Sequence, residues 1–249
     1  MPRPTQLPTS PADADLIVIG KNAKLVPESN PEVAAAFASG KRICSFPEVL
    51  AEISASKKTI VVAGSYGKST STALLAHCLR SAGLDPSFMI GAVPLSPEIP
   101  AAMGTGEFFV VEGDEYPASN TDPRSKFLLM HPAHVLLTPL AHDHLSVFPT
   151  PADYLKPFYE LMTLPPEDGV VVACTEGALS KEFLAGAARP MVTYGLREGD
   201  YTAKDITWGE KTSFALYRGD ALIIRLETSQ LGEHNIQNIV GVAALIHSL

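Results

Sequence analysis

The sequence predicts an α/β protein, a P-loop-type parallel sheet flanked by helices and followed by a small antiparallel β subdomain. Three observations carry this reading. Short apolar runs alternate with helical stretches from Leu16 to Tyr194, the pattern of βαβ units. One of those runs, Thr59–Val62, passes through a glycine turn into a helical stretch headed by Lys68, Ser69 and Thr70. After Tyr194 the texture changes to polar/apolar alternation with a period of two, which suits strands with one face in water.

Taken in order, the opening dozen residues read as a proline-rich lead-in, and Leu16–Ile19 as a buried strand. Pro31–Ser39 is a helix with proline in its first turn, Arg42–Ser45 a short strand, and Phe46–Ser54 a second helix with Pro47 near its start. The strand Thr59–Val62 is followed by a helix over Ser71–Ala82, in which Leu74, Leu75, Cys78 and Leu79 keep helical spacing and Gly83 supplies the stop. Strands are expected at Phe88–Ile90, Phe108–Glu112 and Val135–Leu137, then helix Ala152–Leu161, strand Gly169–Ala173, helix Ala178–Ala185 and strand Met191–Tyr194. Tyr201–Trp208, Thr212–Tyr217 and Ala221–Glu227 form a meander, its last two strands joined by Arg218-Gly219-Asp220. A final helix starts near Asn235 with Ile239, Val240, Ala243 and Leu245 on its apolar face.

Composition narrows the function classes. At 249 residues with 46% hydrophobic and 18% charged residues, the chain buries a substantial core, so disorder and a disulfide-stapled miniature are excluded. No apolar run reaches the roughly 18 residues of a membrane span. The N-terminus lacks the apolar stretch of a secretory signal, and Cys44, Cys78 and Cys174 have no pairing or CxxC spacing. A cytoplasmic location with reduced thiols is the expectation. A net charge of −8 argues against nucleic acid as a partner, so any phosphate must be held locally. Oligomeric state is left open.

The local phosphate site is Gly64-Ser65-Tyr66-Gly67-Lys68-Ser69-Thr70. A strand that turns through glycines into a helix points backbone N–H groups and the helix dipole at an anion, and Lys68 adds a mobile cation. The strict GxxxxGK[ST] pattern is incomplete, since Val62 stands where its first glycine belongs. The strand Phe108–Glu112 ends in Glu112-Gly113-Asp114-Glu115-Tyr116, carboxylates at a parallel strand's C-terminal end, where ligands of open α/β sheets gather. Such strand ends supply the hard oxygen ligands of Mg²⁺–ATP sites. His142-Asp143-His144 follows another strand. His131 and His134 lie across that strand, about 10 Å away at roughly 3.3 Å per residue, so one four-ligand zinc site is not expected. The segment Leu231-Gly232-Glu233-His234-Asn235, with Asn238 after it, reads either as a helix cap or as a polar clamp on a base.

In this order, AGSYGKSTST, FFVVEGDEY, HDH and GEHNIQN resemble the central ATP-binding domain of the Mur ligases, the ATP-dependent amide-forming enzymes of peptidoglycan synthesis. The resemblance spans residues 16–249. It is similar in particular to the murein peptide ligase branch through Gly91-Ala92-Val93-Pro94, Phe108–Tyr116, Arg124-Ser125-Lys126-Phe127 and Asp143-His144 with Phe148, although the UDP-N-acetylmuramate–alanine ligases share most of these motifs. The resemblance implies that Lys68 contacts the β- and γ-phosphates, that Ser69 ligates Mg²⁺ through its hydroxyl, and that Glu112 and His144 complete the metal's protein ligands. His234 and Asn235 would meet the adenine end of ATP. Catalytic roles would fall to Lys68, Glu112 and His144, with UDP-N-acetylmuramate and a peptide or amino acid as substrates. In the implied chemistry a carboxylate and ATP give an acyl phosphate, which an amine converts to an amide.

Four departures from the family pattern support an alternative, a catalytically degenerate nucleotide-binding module: Ser65-Tyr66 in the glycine turn, Thr138-Pro139 before the histidine motif, Ala141 within it, and Ser146 after it. The resemblance also implies an organisation in which residues 1–56 are a remnant of an N-terminal UDP-sugar-binding, Rossmann-like domain and residues 57–249 the central domain. No C-terminal ligase domain is recognised, so the chain is expected to be a fragment.

Overall fold

The computed structural model describes residues 14–20, 28, 30–95, 99–119 and 122–249. The proline-rich lead-in lies outside the described residues. Two strands, β1 (Leu16–Ile19) and β2 (Arg42–Ser45), pair in parallel as a small separate sheet, with helix α1 (Pro31–Ala38) between them in sequence. Asn30 caps α1 through its side chain, and Ile19, Val33 and Ala36 form a minor core there. Helix α2 (Phe46–Ala55) begins with a reciprocal capping box between Ser45 and Glu48 and leads to the main sheet.

That sheet has ten strands in the order β12-β11-β10-β9-β8-β7-β3-β6-β4-β5. They are β3 (Lys58–Ala63), β4 (Ser87–Met89), β5 (Ala101–Ala102), β6 (Phe108–Glu112), β7 (Pro132–Leu137), β8 (Val171–Cys174), β9 (Val192–Gly195), β10 (Tyr201–Thr207), β11 (Thr212–Arg218) and β12 (Ala221–Thr228). Strand β3 sits between β6 and β7, parallel to both. Because successive side chains point to opposite faces, Ile60 and Val62 enter one core, while Val61 and Ala63 enter the other. All four are fully buried, as expected of a parallel strand covered on both sides.

Helices α3 (Lys68–Ser81) and α6 (Glu233–Ser248) cover the first face and pack on each other. Leu75, Leu79, Ile236, Val240 and Leu245 are their main contributions to that core. On the second face α4 (Pro151–Leu161) inserts Tyr154, Phe158 and Leu161, and α5 (Ser180–Gly186) adds Phe183. Parallel alignment brings the C-terminal ends of β3, β6, β7 and β8 to one edge of the sheet.

Several details differ from the sequence expectation. Helix α3 begins at Lys68, three residues earlier than the apolar periodicity indicates, because Gly67 adopts a left-handed conformation (φ 83°) and serves as its N-cap. Strand β7 extends back to Pro132 and takes in His134, whose Nδ1 accepts the Val170 N–H at 3.0 Å. Burial holds the His134 pKa below the ordinary value, in keeping with a neutral acceptor. The 3-10 turn Lys126–Leu129 and the two-residue β5 carry too few residues for any periodicity to announce them. The antiparallel strands β10–β12 join the main sheet through a parallel β9–β10 pairing. Cys44, Cys78 and Cys174 are unpaired, and burial pushes the Cys174 thiol up to about 12. Among the described residues no helix is long and apolar enough to cross a membrane.

The start of α4 rests on a second capping box, in which Thr150 accepts the Asp153 N–H and the Asp153 carboxylate accepts the Thr150 N–H. Thr150→Ala is expected to lower stability by about 1 kcal/mol, read as a shift in the urea midpoint with an unchanged m-value.

Candidate functional site

The phosphate turn sits at the C-terminal end of the central strand β3. Its two glycines are required by different neighbours. At Gly64 (φ 131°) a Cβ would stand 2.2 Å from Thr138 Oγ1 and 2.7 Å from its carbonyl oxygen. At Gly67 a Cβ would stand 2.3 Å from Asn238 Oδ1, so the turn is also pressed against α6. No side chain caps α3, which leaves the N–H groups of its first turn, around Lys68, Ser69 and Thr70, facing outward from a helix of 14 residues. Tyr66, at the tip of the turn, is exposed. This is the geometry that backbone recognition of a phosphate needs.

Lys68 folds back over the turn. Its Nζ donates to the Gly64 carbonyl at 2.6 Å and to both oxygens of Glu115 at 3.1 and 3.3 Å. Glu115 is 1% exposed, so an ionised carboxylate there needs partners. Its second partner is His144, whose Nε2 lies 3.0 Å from Oε1. A carboxylate only accepts, so His144 carries a hydrogen on Nε2, and in its neutral form Nδ1 accepts from the Tyr116 hydroxyl at 3.0 Å. The Tyr116 and His144 rings stand 4.4 Å apart. His144 has φ 54°, an uncommon left-handed backbone for a non-glycine residue.

Of the carboxylates that follow β6, the one that meets His144 is therefore Glu115, and the His144 backbone N–H is accepted by its neighbour Asp143 at 2.7 Å. Glu112, at the end of β6, instead accepts the Gly91 N–H at 2.8 Å. Asp114 accepts from Lys126 Nζ at 2.5 Å and from the Tyr116 N–H at 2.9 Å. Burial alone would raise the Asp114 pKa, but these two hydrogen bonds outweigh it and hold the carboxyl below its ordinary range.

At the third corner, α6 begins at Glu233 with Gly232 as its cap, two residues before the expected start. Asn235 lies inside the first turn and donates to the Leu231 carbonyl at 2.7 Å, while the exposed His234 ring covers Gly232. Gln237 binds Glu176, at the end of β8, at 2.6 Å. His234 and Asn235 thus stand one turn from Asn238, which touches the phosphate turn.

The residues fit a nucleotide phosphate: an uncapped helix start, a lysine within reach of the turn, and carboxylates on the neighbouring strand. Among the described residues no group of three or more His, Cys, Asp or Glu side chains forms a metal cage. Mg²⁺ in phosphate sites takes only one or two carboxylates besides the phosphates and water, and the oxygens of Ser69 and Glu112 are donors of that kind. Both His144 nitrogens are engaged in hydrogen bonds here. Sequence reasoning missed Glu115 and Tyr116 as site residues. The acidic run was visible, but no local pattern says which of its carboxylates turns inward.

Residues 62–246 match the Mur ligase middle domain. The chain belongs to the Mur ligase family. It is 33% identical over 236 residues to the UDP-N-acetylmuramate–L-alanine ligase of Pelotomaculum thermopropionicum, covering 94% of this chain and 49% of that one. The corresponding ligase of Acidithiobacillus ferrooxidans is 33% identical over 243 residues, covering 94% and 50%. The chain thus spans about half the length of these relatives. Among solved structures, the UDP-N-acetylmuramate:L-alanyl-gamma-D-glutamyl-meso-diaminopimelate ligase of Neisseria superposes with a TM-score of 0.82 at 28% identity, covering 94% of this chain and 74% of that one. The Thermotoga maritima UDP-N-acetylmuramate-alanine ligase shares the fold, with a TM-score of 0.77 at 23% identity, covering 95% and 51%.

In this Mur ligase domain the Asp114 carboxyl contributes stability above its unfolded pKa of about 3.9, and that contribution is lost as pH falls through the lower folded value. Lys126→Met removes the largest lowering influence. Acid unfolding of the variant, followed by circular dichroism from about pH 6 to pH 2, is expected to begin at higher pH than in the wild type.

Proposed function

We propose that this chain is the Mg²⁺–ATP-binding core of a peptidoglycan ligase, the part of the enzyme that activates a carboxylate. The observation that carries this reading is the uncapped start of α3 behind Gly67, with Lys68 as its first residue and acidic side chains from β6 beside it. Bound Mg²⁺–ATP would supply the phosphoryl group for an acyl phosphate, which an amine then attacks to form an amide.

The chain's own residues have the following parts in this proposal. Backbone N–H groups of the Gly64–Thr70 turn other than that of Ser65 would hold the phosphates, and Lys68 would place its ammonium on the β- and γ-phosphates, where charge is redistributed during transfer. Ser69 and Glu112 give oxygens to Mg²⁺. His144 would be the third protein ligand, which requires one of its ring nitrogens to exchange its present partner, Glu115 or Tyr116, for the metal. Glu115 holds Lys68 over the turn, so that the cation waits at the position the phosphate will take. His234 and Asn235 receive the adenine end, anchored through Asn238 on the turn and through Gln237 on Glu176.

The substrates in this proposal are UDP-N-acetylmuramate and an amino acid or peptide amine. Residues 57–249 constitute the ATP-binding domain, and residues 1–56 belong to the UDP-sugar-binding domain. A cytoplasmic setting suits a reaction that consumes ATP. The second reading, a nucleotide-binding module without ligation, is favoured by Ala141 and Ser146, which stand where the family pattern has acidic residues. Attachment of an L-alanine-headed peptide, or of L-alanine, to UDP-N-acetylmuramate by the full-length gene product would eliminate it.

Isothermal titration of the chain with Mg²⁺–ATP tests the first reading. Lys68→Ala is expected to weaken binding about 10- to 100-fold, the effect of losing a charged hydrogen-bond donor worth roughly 1.5–3 kcal/mol. Absence of wild-type binding, or an unchanged affinity in the variant, overturns it.

A further inference from the structure

Behind the phosphate turn lies a hydrogen-bonded junction that no motif contains. Ser65 Oγ stands 2.8 Å from the Ala141 carbonyl, accepts the Ala141 N–H at 2.8 Å, and lies 2.7 Å from the Tyr154 hydroxyl. A carbonyl cannot donate, so the single Ser65 hydrogen goes to Ala141, and the Tyr154 O–H donates to Ser65. With the Ala141 N–H on its second lone pair, the Ser65 hydroxyl is saturated. The Ser65 N–H is also used, by the Pro139 carbonyl at 2.9 Å. Both donors of Ser65 are thus engaged within the protein.

Tyr154 is fully buried and reaches this point from the first turn of α4. Its ring meets Phe148 edge-on at 5.4 Å and lies 6.1 Å from His142. His142 Nε2 in turn donates to the Phe148 carbonyl at 2.8 Å. One tyrosine therefore supports both ends of the segment whose middle is His144, and the same tyrosine's hydroxyl is fastened to the phosphate turn. Removing that hydroxyl leaves the ring packing in place but detaches the turn from the segment.

We propose that Tyr154 and Ser65 are positioning residues, a buried coupling that sets where the His142–His144 segment stands relative to the phosphate turn. This rests on the reading of the turn as the nucleotide site. Their hydroxyls act through Ala141 and the backbone, touching no substrate.

The test uses the full chain with ring-labelled histidine and four variants. Tyr154→Phe and Ser65→Ala are each expected to shift or broaden the NMR signals of the His144 ring, while those of His77 and His234 stay in place. Each is expected to weaken Mg²⁺–ATP binding at least fivefold, and the double variant to be no weaker than either single one, because both delete the same link. Tyr159→Phe, which removes an α4 hydroxyl that donates to the Glu182 carbonyl of α5, controls for loss of a phenol and should leave both readouts unchanged. Unaltered His144 signals in Tyr154→Phe and Ser65→Ala, or losses of affinity that add independently, overturn the proposal. If Tyr154→Phe does not fold, Ser65→Ala supplies the same comparison. If the wild type takes up no nucleotide, the functional reading fails, and the His144 signals still decide the coupling.

Discussion

The site depends on one buried carboxylate. Glu115 is almost entirely removed from water, and an ionised group in that position is tolerated only with close partners. It has two, the Lys68 ammonium from the start of α3 and His144 from the segment after β7. Glu115 itself follows β6. Three separate pieces of chain are thereby drawn to one point, where the Glu115 carboxylate offsets the Lys68 ammonium.

The scaffold makes the meeting possible. Parallel pairing of β3 with β6 and β7 aligns their C-terminal ends, so the loops that follow them emerge side by side. The cores on either side of β3 hold the strand from both faces, and the helices forming those cores also reach the site. Helix α6 presses Asn238 against Gly67, and α4 delivers Tyr154 to Ser65. Packing elements and binding elements are the same helices, which is why the phosphate turn is held from both layers.

Much of the strand and helix order was legible from local chemistry. The run Thr59–Val62, the glycine turn and the Lys-Ser-Thr helix start are signals of backbone geometry, and they mark β3 and α3 without reference to the rest of the chain. The alternation after Tyr194 likewise marked β10–β12. The start of α3 was misplaced by three residues because apolar spacing begins only where the helix touches the core, while the helix begins where Gly67 turns the backbone. The short β5 and the 3-10 turn Lys126–Leu129 were not legible, since two to four residues contain no measurable period.

The sequence by itself determined the βαβ framework, the family membership, and the types of side chain available at the sheet's C-terminal edge. Only the tertiary structure decided the pairings. Between Glu112 and Tyr116 three carboxylates lie within four positions, and their spacing does not distinguish the one bonded to Gly91, the one held by Lys126 and the one buried against Lys68 and His144. The same is true of Ser65, which reads as a ligand in a phosphate turn until Tyr154, 89 residues away, is found to occupy its hydroxyl. The physical reason is common to both cases. Local sequence controls backbone conformation, whereas the partner of a buried polar group depends on which distant element packs over it.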